Sequence, residues 1–181
     1  MSQFEYRKEP MFPIASRYGA IAGLLLIVFA LLFHFSGMTD YEDPSNSGGA
    51  GWLSLLINLS IVVGALFLAI KELKKQQNGW LTLGQGFGVG TLAGLVSSLM
   101  LAVWTYLFFT LVEPDLLNII LEASLAQIEE QGQSEEVLEQ SRNMAEMMIN
   151  PLVMSLGGMV FYVISSMVIA LIGGLIFKSD T

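Results

Sequence analysis

The chain has no cysteine and a single histidine, His34. Without thiols it can form no disulfide, no thiolate nucleophile and no zinc–sulfur site. One histidine cannot complete the H-E-x-x-H helix of a zinc hydrolase, and the G-x-S-x-G elbow of serine hydrolases is missing as well. Charge is scarce too: 13% of residues are charged, where a soluble domain carries about 25%. These absences argue against an enzyme, and we expect neither a cofactor nor a metal.

What the chain has in place of charge is apolar surface. Its residues are 54% hydrophobic with a mean hydropathy of +0.63. They gather in four blocks, at about residues 18–35, 52–70, 86–112 and 151–177, and none of these contains Asp, Glu, Lys or Arg. Crossing the hydrocarbon of a bilayer takes about 20 apolar residues at roughly 1.5 Å each, so the first two blocks fit closely and the last two have length for tilt. Arg7, Lys8 and Arg17 precede the first block as they would in a signal peptide, but no small-residue cleavage site follows Phe35, so the block stays a span. The expected fold class is an all-α, integral membrane helical bundle, a single membrane domain over residues 1–181 with four transmembrane helices. An amphipathic helical hairpin is expected between spans three and four, in residues 113–150.

Orientation follows from the basic residues. Arg7, Lys8, Arg17, Lys71, Lys74, Lys75 and Lys178 fall on one side of such a bundle, and only Arg142 falls on the other. By the positive-inside rule both termini and the 71–85 loop are cytoplasmic, and the 36–51 and 113–150 segments face outward. Asp40, Glu42 and Asp43 join nine further acids between Glu113 and Glu146 on the outer face. The net charge of −8 therefore hides a basic cytoplasmic rim able to meet anionic headgroups. Membrane lipids are expected partners and nucleic acid is not. Tyr18, Trp80 and Phe177 mark the inner interface, and Trp52, Phe108 and Phe109 the outer one, as anchoring aromatics.

Glycine supplies the most pointed motif, GQGFGVGTLAG at residues 84–94. Gly88 to Ala93 matches G-x-G-x-x-A, but that dinucleotide fingerprint needs a preceding strand and an acid about 20 residues on, and here a membrane span follows. The phosphate-loop motif G-K-[ST] is missing. The alternative accommodates every residue: Gly86, Gly90, Gly94 and Ser98 recur every four positions, on one helical face, as a stripe that lets another helix approach closely. Partner stripes are Ala15, Gly19 and Gly23 in span one, Ser60 and Gly64 in span two, and Ser166, Ala170 and Gly174 in span four. Spacing does not say whether the partner is a helix of this chain or a second copy. If it is a copy, Gly90→Leu or Gly94→Leu breaks assembly and spares the folded chain.

Outside the spans, Leu117, Ile120, Leu121, Leu125 and Ile128 form an apolar stripe, with Asn118, Glu122 and Glu129 opposite. Gly132 ends this helix. Ser134 is a plausible N-cap for a second, bearing Val137, Leu138, Met144, Ala145 and Met148, and Pro151 closes the unit. Arg142 is expected to make a local ion pair with Glu139 or Glu146. The hairpin needs a surface to lie on: lipid, the spans or a membrane protein partner. Met144, Met147 and Met148 form an adaptable patch.

Two intramembrane polar residues stand out. Asn58, about 9 Å below Trp52 by helical rise, is expected to hydrogen-bond across helices. His34 lies at the outer end of span one as an interfacial histidine. The spans hold no charged residue, which disfavours ion-coupled transport. A pore for a neutral solute, lined by Ser97, Ser98, Thr105, Ser165 and Ser166 in a homo-oligomer, stays open beside the reading of a non-enzymatic bundle that associates with lipid or a partner.

The order of features resembles a known family. Lys71-Glu72-Leu73-Lys74-Lys75 leads into Leu83-Gly84-Gln85-Gly86, then come Gly90, Ser97, Tyr106 and the Glu113-Pro114-Asp115 turn, then Gln133-Ser134-Glu135-Glu136 and Asn150-Pro151. This series is similar to the bacterial membrane family catalogued as domain of unknown function 4199. The resemblance covers nearly the whole chain except its first dozen residues and the Ser45–Gly49 stretch. It implies a Gram-negative inner-membrane protein with four spans and no assigned activity, and it transfers no catalytic residue.

Overall fold

A computed structural model of the chain describes residues 11–38, 48–130 and 135–179. The described residues form helices and no strand: α1 (Met11–Phe35), α2 (Gly48–Gln76), α3 (Leu83–Leu107), a π-helical turn (Phe108–Val112), α4 (Leu116–Glu130), α5 (Glu135–Met148) and α6 (Pro151–Phe177). Four are long and apolar enough to cross a membrane: α1, α2, α3 with its π-helical extension, and α6. The first three begin or run on outside the apolar blocks, whereas α6 coincides with the fourth. Arg17 lies within α1, whereas Arg7 and Lys8 lie outside the described residues, and α2 continues through Lys74 and Lys75. A helix leaving the hydrocarbon loses nothing by adding turns whose side chains reach water.

Local chemistry sets the helix ends. Thr82 and Gln85 form a reciprocal capping box at the start of α3: Thr82 N donates to Gln85 Oε1 at 2.9 Å and Gln85 N to Thr82 Oγ1 at 3.3 Å. At the start of α6, Leu152 N donates to Asn150 Oδ1 at 3.0 Å, and Pro151 occupies the first helical position, where a missing N–H costs nothing. The end of α2 is a Schellman motif. Asn78 adopts φ 55°, Gly79 N donates to Lys74 O at 2.9 Å, and Asn78 N donates to Lys75 O at 3.2 Å.

By its contacts the chain divides into two compact units, and each long apolar helix gives one part to each. The first comprises Met1–Leu26, Ile57–Met100 and Val160–Thr181. Its core is built from small and aliphatic side chains: Ala15, Ala22, Leu66, Ala69, Val89 and Ala93 are fully buried. A clamp closes its lysine-bearing end. Lys74 Nζ donates to Phe177 O at 2.9 Å, and Lys71 Nζ lies 5.2 Å from the centre of the Phe177 ring. Ser179 donates from N to Leu81 O at 2.9 Å and from Oγ to Gly79 O at 2.8 Å, and its Oγ accepts from Leu81 N at 3.1 Å.

The second unit comprises Ile27–Leu56 and Leu101–Met159. Here α4 and α5 pack on one another. The stripe expected on α4, Leu117, Ile120, Leu121, Leu125 and Ile128, is half-buried, and Asn118, Glu122 and Glu129 are exposed. On α5 the expected face divides. Leu138 and Ala145 are half-buried, while Val137, Met144 and Met148 are exposed. Positions seven apart drift by only about 20° on a helix, so 138 with 145 and 137 with 144 form two adjacent faces, and only the first meets the fold. Arg142 Nε donates to Glu146 Oε1 at 3.1 Å, in an exposed pair one turn apart. Ser134, the expected cap of α5, and Gly132 lie outside the described residues.

Candidate functional site

The glycine stripe of α3 faces α6, helix against helix in the first unit. A Cβ built on Gly86 would lie 2.9 Å from Gly174 Cα, and one on Gly90 2.6 Å from Ala170 Cβ. One on Gly94 would occupy the space of the Ser166 side chain. Each approach is closer than a real Cβ tolerates, so the three glycines are what allow α3 and α6 to touch. A second crossing lies on the α1 side of α3. A Cβ on Gly19 would come 2.5 Å from Ala93 O, and one on Gly23 3.0 Å from Met100 Sδ. The stripe thus packs within one chain, and the small residues that sequence spacing aligns on α3 and α6 meet nearly one to one.

Not every residue of the expected stripes lies at a crossing. Gly64 is exposed, and a Cβ there would meet nothing within 4 Å. Ser60, one turn earlier, is exposed too. The buried face of α2 is instead Val62, Ala65, Leu66, Ala69, Ile70 and Leu73, and the side chains of Ile70 and the half-buried Phe67 cover Gly173 of α6. A small-xxx-small spacing in an apolar helix is a common accident, because Gly, Ala and Ser are frequent there whichever way they face. Ser97 and Ser98 are buried and donate to Gly94 O and Leu95 O, each at 2.9 Å, so their hydroxyls turn back on their own helix. The Ser166 hydroxyl is buried without a hydrogen-bond partner among the described residues.

Asn58 accepts a hydrogen bond from Tyr162 Oη at 3.3 Å, linking α2 to α6 within the first unit.

His34 sits in the second unit, between apolar rings and beside a cavity. Its side chain is 17% exposed, and its ring packs edge-on against Phe108, with centroids 5.0 Å apart at 83°. A cavity of about 170 Å³ opens beside it, lined by Leu31, His34, Trp104, Thr105, Phe108 and Phe109 among others. Phe108, expected as an interfacial anchor, is instead buried in this cluster, because its ring fills the space between His34 and Trp104. Trp52 and Trp80 do stay exposed.

The π-helical turn explains how a carboxylate joins the cluster. Glu113 N donates to Phe108 O at 2.9 Å, a span of five residues, while Thr110 Oγ1 donates to Tyr106 O at 2.7 Å. A regular α-helix would stack Val112 under Phe108, whereas the wider turn brings Glu113 there. Glu113 Oε1 accordingly lies 3.8 Å from His34 Nε2. Sequence reasoning reads Glu113 only as part of a turn and misses Trp104. The available signal is the spacing of Leu101, Trp104, Thr105 and Phe108, which share one helical face. The π-turn has no such signature.

Among the described residues no group of three or more His, Asp or Glu is placed to hold a metal ion. Together, four membrane-length helices and a helical hairpin between the third and the fourth define a polytopic membrane protein. The chain belongs to the family described as protein of unknown function (DUF4199), whose model matches residues 17–179. No curated protein and no solved structure matches it.

Proposed function

We propose that this membrane protein is a non-enzymatic bundle that works by associating with another membrane protein through its α4–α5 hairpin. The observation that carries this reading is the outward face of α5, where Met144, Met147 and Met148 are 56%, 73% and 60% exposed. The hairpin lies outside the four apolar spans, so lipid tails are not the default cover for these side chains. Methionine surfaces adapt to varied partners. The same helix carries Glu135, Glu136, Glu139 and Glu146 against Arg142 alone, the opposite of the basic composition that holds amphipathic helices on anionic bilayers. The glycine stripe is occupied within the chain, which leaves the hairpin as the surface for association.

In this reading the protein resides in a bacterial inner membrane. Both termini and the lysine-rich loop are cytoplasmic and the hairpin is extracytoplasmic, as the one-sided distribution of basic residues supports. It uses no cofactor and binds no nucleic acid. A photocrosslinking residue at Met144 in native membranes tests the assignment, with the same residue at Glu139, on the opposite face of α5, as control. One polypeptide adduct of fixed mass at Met144, and none at Glu139, is expected. Adducts to lipid alone or to a second copy of this chain would replace the partner with bilayer or homo-oligomer, and equal labelling at both positions would refute the docking face.

The cavity beside His34 favours a second reading, a small channel or carrier for a neutral or lipid-like solute. The buried, self-bonded Ser97 and Ser98 speak against a wet path along α3. Solute flux from proteoliposomes above that of empty vesicles would favour it.

A further inference from the structure

The cavity in the second unit has a size, a wall and a field that together select one kind of ligand. Its volume of about 170 Å³ is that of a site for a single ring-sized group, since an apolar cavity of about 150 Å³ takes benzene. It is too small for a whole drug-sized molecule, which needs roughly 300 Å³ or more. Three of its lining residues are the aromatics Trp104, Phe108 and Phe109. Phe108 stands at 77° to Phe109 and at 44° to Trp104, so the rings do not stack into one plane but turn their faces in different directions. Aromatic walls of this kind recognise quaternary and alkyl ammonium groups through their negative faces.

The charges agree. The described residues of this unit carry nine acids, and their one Arg or Lys, Arg142, is paired with Glu146. An anion would enter against that field and a cation with it. Glu113 supplies a carboxylate at the cluster. It stands behind the lining residue His34, with Oε1 3.8 Å from His34 Nε2, within ion-pair distance but beyond a hydrogen bond, and its side chain is 45% exposed, so the carboxylate stays accessible to an incoming cation. His34 is the last residue but one of α1, and Glu113 follows the π-turn directly. Both therefore stand where apolar spans end, at the depth of lipid headgroups.

We propose that this cavity binds an alkylammonium group, with Trp104, Phe108 and Phe109 as its walls and the Glu113 carboxylate as its counter-ion. The group can belong to a free amine or to the headgroup of an amine-bearing phospholipid whose chains stay in the bilayer. The site stands independently of the methionine face of α5.

The test uses the full chain in detergent with Trp52→Phe and Trp80→Phe, so that Trp104 is the sole fluorescent reporter. Choline chloride is titrated against its uncharged isostere, 3,3-dimethylbutan-1-ol. Saturable binding of choline, at least about tenfold tighter than the isostere, is expected. Glu113→Gln is expected to abolish that preference, and Glu113→Asp to keep part of it. Phe108→Leu is a second probe, expected to weaken choline about tenfold and leave the isostere unchanged. A Glu113→Gln protein with altered helicity or elution is replaced by this Phe108→Leu comparison. Competition by dioctanoyl phosphatidylcholine or phosphatidylethanolamine would assign the site to a headgroup, and competition by free ethanolamine alone to a soluble amine. Either supports the proposal. Equal affinity for choline and the isostere, or no saturable response to choline, overturns it.

Discussion

The two units of this chain solve the problem of helix contact in opposite ways. In the first, glycines on α3 and α1 remove side chains so that backbones approach, and the core is built from Ala, Leu, Ile and Val. In the second, Trp104, Phe108, Phe109 and His34 fill the space between helices with large rings and leave a cavity beside them. Within lipid there is no hydrophobic drive between helices, so stability follows from the closeness of van der Waals contact. The small-residue unit is therefore the part held by close backbone contact. The aromatic unit, with its cavity, its π-turn and its exposed methionines, is where binding can occur.

Substitutions that add atoms break the comparison most sharply. Gly94→Leu places a side chain where Ser166 already is, and we expect a loss of about 3 kcal/mol or more, seen as a large fall in the thermal or SDS midpoint of the purified protein. The same change at Gly64, whose Cβ position is open, is expected to leave the midpoint within about 0.5 kcal/mol. A comparable loss at Gly64 would mean that α2 packs there after all.

Smaller effects sharpen the picture. Ser179→Ala removes the hydroxyl that joins Gly79 and Leu81 to the end of α6, at an expected cost of about 1–2 kcal/mol, with faster proteolysis after residue 77 as the companion readout. Tyr162→Phe deletes the hydrogen bond to Asn58 and should cost about 0.6 kcal/mol, the usual value for such contacts in membranes. The smallest change is expected from Ser166→Ala. It removes a buried hydroxyl with no partner among the described residues, so the result should be neutral or slightly stabilising, and a loss above about 1 kcal/mol would reveal a bond that the hydroxyl makes.

Much of this architecture is legible in the sequence. Four uncharged blocks of membrane length demand four spans, and the helical spacing of Leu117, Ile120, Leu121, Leu125 and Ile128 locates the inward face of α4. The stripes Gly86, Gly90, Gly94 and Ser166, Ala170, Gly174 identify two faces able to meet. What spacing cannot say is which face meets which, because a small residue marks a permitted approach, not a neighbour. Gly64 shows the cost of reading every such residue as a contact. The surroundings of His34 are hidden for a different reason. Its ring partner is 74 positions away at Phe108, and its carboxylate depends on an i to i+5 turn that has no sequence signature. The Ser179 clamp is a long-range polar contact of the same sort, invisible until the chain ends are placed beside the Schellman turn.

The central claim is that the glycine stripe closes the chain on itself, leaving association to the hairpin. A double-mutant cycle tests it directly: Gly94→Ala, Ser166→Gly and the pair, each measured by equilibrium unfolding in detergent at two protein concentrations tenfold apart. Direct contact within one chain predicts that Ser166→Gly restores the stability lost in Gly94→Ala, with a coupling of about 1 kcal/mol or more that is the same at both concentrations. Additive losses, or a coupling that grows with protein concentration, would contradict the account and return the stripe to the interface between copies.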